Sequence, residues 1–150
     1  MAGSAIFGWP TLAECVAESF WFGAALVFAA MVGTFLMHLS ETKHGLRPPW
    51  RNWSNAFLVL DRLTAGCAAL GCLWLRWPLH AERDQHLLQL FTFGFICAAY
   101  GEASEFSPEL QTMQRQFNWL YIILHFTWHW FAFYCMRIVI HDAILARNAV

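Results

Sequence analysis

Residues 20–39, FWFGAALVFAAMVGTFLMHL, contain no Asp, Glu, Lys or Arg. At about 1.5 Å per residue, a helix of this length spans the roughly 30 Å hydrocarbon core of a bilayer. The run is continuously apolar rather than alternating, which argues against the tilted strands of about ten residues found in membrane barrels. Three more apolar stretches follow. One is Ala56 to Trp77, interrupted only by Asp61, Arg62 and Arg76. The next is Leu87 to Tyr100, longer if Glu102 and Glu105 lie within it, and the last is Phe117 to about Ile140, without a formal charge from Phe117 to Met136. The expected fold class is all-α, a four-helix transmembrane bundle with short loops. Residues 1–150 read as a single integral membrane domain with helices at about 12–39, 56–77, 87–106 and 117–141.

Composition agrees, since 59% hydrophobic and 13% charged residues do not make the surface of a soluble globule. The connections, 40–55, 78–86 and 101–116, are too short for a soluble domain, so any chemistry belongs in the membrane or at its edge. The expected partners are the lipid bilayer and other membrane protein subunits. A net charge of −1 gives no reason to expect nucleic acid. No Lys or Arg precedes Lys43, while Glu14 and Glu18 precede the first apolar run, so the basic leader of a secretory or transit peptide is not expected. Cys15, Cys67, Cys72, Cys97 and Cys135 form no Cys-x-x-Cys pair and read as small buried packing residues.

Four crossings place Trp50, Trp53 and Trp119 at one interface and Trp9, Trp74 and Trp77 at the other, as aromatic belts require. The basic residues divide evenly, Lys43, Arg47, Arg51 and Arg115 against Arg76, Arg83, Arg137 and Arg147, which leaves both orientations and the compartment open. Ala25, Ala29 and Gly33, and likewise Cys67 and Gly71, recur at helical spacing and predict close helix packing.

Within this frame the ionisable residues stand out. An imidazole in a lipid-spanning helix is rare and usually faces a partner, a metal, a cofactor or water. His125 and His129 are four residues apart, hence on one helical face, a spacing that lets two imidazoles bind one metal ion. The same topology brings His38 and Asp61 to the end of the bundle that holds His125 and His129. A third histidine with a carboxylate or water would complete a zinc site with an open position. His38 with either His125 or His129 would equally suit a b-type haem, and simple polar pairing with no cofactor is the third possibility.

The order Thr34-Phe-Leu-Met-His38, Phe57-Leu-Val-Leu-Asp61 and His125-Phe-Thr-Trp-His129 resembles the superfamily that joins alkaline ceramidases, adiponectin receptors and haemolysin III proteins, which are membrane hydrolases with intramembrane zinc. The resemblance implies that His38, His125 and His129 hold zinc and that Asp61 holds or activates the hydrolytic water. Thr34 would take the place of the family's serine. The chain departs from that pattern at Thr34 and in having four expected helices where the family has seven.

Three functions follow as expectations. The missing helices favour a small accessory subunit of a larger membrane complex. The alternatives are a zinc-dependent intramembrane hydrolase of a lipid amide or ester, with Thr34 and Asp61 in the catalytic site, and a haem-binding membrane subunit. His44, His80, His86 and His141 read as solvated, and His44 to Pro49 as a rigid turn. Glu102 and Glu105 read as solvated loop residues that could also orient imidazoles.

Overall fold

The computed structural model describes residues 2–40, 53–77, 80–103 and 118–149, and every regular element among them is helical. A 3-10 helix, Ala2–Gly8, is followed by α1 (Trp9–Ala17), α2 (Trp21–Ser40), α3 (Ser54–Arg76), α4 (Ala81–Ala103) and α5 (Asn118–Asn148). The chain forms two compact units, residues 1–79 with 136–150, and residues 80–135. Helix α5 therefore gives its first part to the second unit and its last part to the first.

The helix expected over 12–39 is broken in two. Ser19 adopts φ 53°, in the left-handed region, and ends α1. Around it the Phe20 amide donates to the Cys15 carbonyl at 2.8 Å and the Ser19 amide to the Val16 carbonyl at 3.1 Å, the paired bonds of a Schellman stop. That motif usually carries glycine, so a serine there gives no sequence signal. The end of α5 holds the elbow in place. Arg147 donates to the Glu18 carbonyl and, at 3.3 Å, to the Ser19 carbonyl, with its guanidinium 5.7 Å from the Phe20 ring centroid. Asn148 donates to the Glu18 carboxylate at 3.0 Å. Arg147→Ala is expected to lower thermal stability by about 1 kcal/mol, the scale of an exposed cation–π contact, and Ser19→Gly to recover it by relieving the left-handed serine. Melting followed by circular dichroism in detergent checks both.

In the first unit the core is built from small and branched side chains: Cys15, Ala24, Val27, Ala30 and Ala68, with Val139, Ile140 and Ile144 from α5. Helices α2 and α3 approach at Gly33, where a Cβ would stand 2.3 Å from Thr64 Oγ1 and 3.1 Å from the Asp61 Cα. Gly71 makes room for Leu26 in the same way. Cys67, by contrast, is exposed, as is Ala25, so only part of the expected small-residue packing is used. Helix α5 runs on to Asn148, beyond the expected end near 141, because its late polar residues find partners. Asp142 pairs with Arg76, and His141, which reads as solvated from sequence alone, pairs with Glu14.

In the second unit α4 starts at Ala81 rather than Leu87. The buried Asp84 accepts the His80 amide at 2.7 Å and the Arg83 guanidinium at 3.3 Å, capping a first turn that reads as loop by its charge. Gly94 then lets α4 approach Trp128 and Phe131, and Phe93 meets Phe131 edge to face at 5.3 Å.

Among the described residues, two helices, over Trp21–Leu39 and Ala56–Arg76, are long and apolar enough to cross a membrane. Helix α4 spends its first turns on charged residues, while α5 dilutes its uncharged run with imidazole, indole and phenol groups. Trp9, Trp53, Trp74, Trp77 and Trp119 are all exposed, and Trp50 lies outside the described residues. Cys15 and Cys97 are buried and Cys72 and Cys135 half-buried.

Candidate metal centre

Thr34 and His38 sit one turn apart on α2 and are both buried, 5% and 7% exposed. Spacing of four residues puts them on one face of the helix. On α3, Asp61 is half-buried and accepts a hydrogen bond from the Thr34 hydroxyl, Oγ1 to Oδ1, at 3.1 Å. Thr64 donates from Oγ1 to the Asp61 main-chain carbonyl at 3.0 Å, a bond back to the preceding turn. The Asp61 carboxylate is thus tied to α2 by Thr34, and its backbone is tied to the crossing point at Gly33. Arg62, the next residue, is exposed.

In the second unit His125 and His129 converge. Their Nε2 atoms are 3.0 Å apart and their ring centroids 4.9 Å apart, with His129 buried at 5% exposed and His125 half-buried. Without an ion, one imidazole must donate an N–H and the other accept it. With an ion, both nitrogens turn lone pairs to it. Two nitrogens of a tetrahedral zinc site at about 2.0–2.1 Å from the metal lie about 3.3 Å from each other, close to the observed separation.

The donor chemistry of His38, His125 and His129 is that of a set which could hold a metal ion. Thr34 and Asp61, the other residues singled out in the sequence, are hydrogen-bonded to each other. Sequence reasoning missed the part played by Thr64, whose hydroxyl carries no motif signal, and it read Gly33 as general packing. Glu102 lies in α4, while Glu105 and His44 fall outside the described residues.

Thr34→Val keeps the side-chain shape but removes the donor from the half-buried Asp61. A loss of about 1 kcal/mol is expected, the net scale of one hydrogen bond, measurable by denaturant titration of the reconstituted protein.

The chain matches no protein-family model, and neither a curated protein nor a solved structure is similar to it. What fold and site define together is a class. The chain's described residues are all helical in their regular structure, with two helices of membrane-crossing length and apolarity and a three-histidine donor set that could take a metal ion.

Proposed function

We propose that the chain is an integral membrane metalloprotein in which His38, His125 and His129 hold zinc, and that it hydrolyses a lipid amide or ester. The observation that carries this reading is the approach of the His125 and His129 Nε2 atoms to 3.0 Å inside a run with no formal charge. Two ring nitrogens this close suit a shared cation, which uses both lone pairs. The pair also favours a small ion over haem, because two ring nitrogens that face each other this closely do not leave one free to reach a porphyrin iron alone.

Zinc bound there supplies Lewis acidity toward water and toward a carbonyl. The protein's own residues supply the rest. In this reading Asp61 takes a proton from the attacking water and returns it to the leaving group. Thr34, by donating to Oδ1, fixes the rotamer of that carboxylate and tunes its basicity. Burial of His38, Thr34 and His129 keeps bulk water from competing for the site. In this reading, purified protein in mixed micelles cleaves a long-chain lipid amide or ester, a chelator stops the reaction, and added zinc restores it. Absence of cleavage by zinc-loaded protein across both substrate classes would overturn the hydrolase.

A second reading, a four-helix transmembrane accessory subunit of a larger membrane complex, draws on the outer surfaces. Val59, Leu63, Leu70 and Trp74 on α3, and Phe95 and Ile96 on α4, all face outward. These surfaces suit lipid or neighbouring subunits alike, and co-purification of a stoichiometric partner from native membranes would favour the subunit.

A further inference from the structure

The segment before α2, which the sequence places outside the first charge-free run, has its polarity inside out. Ser4, Ala5, Gly8, Thr11 and Cys15 form its buried face, and all are small. The hydroxyls of Ser4 and Thr11 are fully enclosed there with no hydrogen-bond partner. Outward stand Ile6 at 67% exposure, Trp9 at 60% and Val16 at 49%, with Pro10 and Ala13 among them. A helix at a water-facing surface buries its large apolar side chains and exposes its polar ones. Here large apolar groups face out and small or hydroxyl-bearing groups face the neighbouring helix, the arrangement of helices packed in lipid.

Charge points the same way. Residues 1–42 contain no Lys or Arg, so this face offers nothing to an acidic peptide or to anionic headgroups. The acids at the end of this segment, Glu14 and Glu18, are engaged by His141, Asn148 and, through the Glu18 main-chain carbonyl, Arg147. The outward apolar surface also continues into α2 through Trp21, Phe22, Phe28 and Phe35, on a helix able to cross a membrane. We infer that residues 2–17 are a membrane-embedded flank of the first span, with Ile6, Trp9, Ala13 and Val16 in contact with lipid acyl chains.

The test uses the unaltered full chain in liposomes, photolabelled in parallel with a lipid-borne diazirine and a water-soluble diazirine and mapped by mass spectrometry. The lipid-borne probe is expected to mark Ile6 to Val16 at a yield similar to Phe28 and Phe35, several times that of the aqueous probe. Dominant aqueous labelling would place the segment in water and overturn the inference. Labelling by neither probe would mean that another protein surface covers it, and would overturn it equally. Because the readout involves neither metal nor substrate, it stands or falls separately from the hydrolase reading.

Discussion

Under the proposed hydrolase reading, Asp61→Asn is expected to lower kcat on the lipid substrate by about 10²–10⁴-fold, the range for removing a positioned general base. The amide is nearly isosteric and still accepts the Thr34 hydroxyl, so the α2–α3 contact and the zinc content should stay as they are. Loss of rate with unchanged metal content separates a proton-transfer role from a structural one. Equal activity in wild type and Asp61→Asn would remove Asp61 from the mechanism.

The second large effect is expected at Gly33→Ala. The new methyl would meet Thr64 Oγ1 at 2.3 Å and the Asp61 Cα at 3.1 Å, and the second of these is backbone that cannot rotate away. Helix α3 must therefore shift from α2, at a cost of about 1–3 kcal/mol for overpacking, and the Thr34–Asp61 bond is lost with the shift. Activity should fall toward that of Asp61→Asn. Adding Thr64→Ala removes the closest clashing atom and should return part of both stability and rate, a coupling that a double-mutant cycle reads directly. Additive losses in the cycle would mean that the close approach at Gly33 does not place Asp61.

Much of this was legible in the residues, and the exceptions have physical causes. Charge-free runs at 20–39 and 117–136 fixed where helices must be, since an apolar chain in lipid has to satisfy its backbone internally. The spacing of four between His125 and His129 sufficed to place them on one face. Helix ends were harder. Ser19 breaks the first helix through backbone geometry that serine rarely adopts, and its stabilisers, Arg147 and Asn148, lie at the far end of the chain. Helix α4 begins in a charged stretch because Asp84 is buried as a cap, and α5 outruns its apolar stripe because Asp142 and His141 find partners. In the site, Thr34 and Asp61 were visible as positions but their hydrogen bond was not. Gly33 and Thr64 matter through an interhelical distance that no local pattern encodes.

The proposed chemistry depends first on bound metal. Elemental analysis and an absorption spectrum of detergent-purified wild type, beside the His125→Ala, His129→Ala double variant, test it in one preparation. About one zinc ion per chain in the wild type, lost in a double variant that keeps its helical circular dichroism, is the predicted result. Zinc-free wild type, zinc retained in the variant, or a Soret band would contradict it.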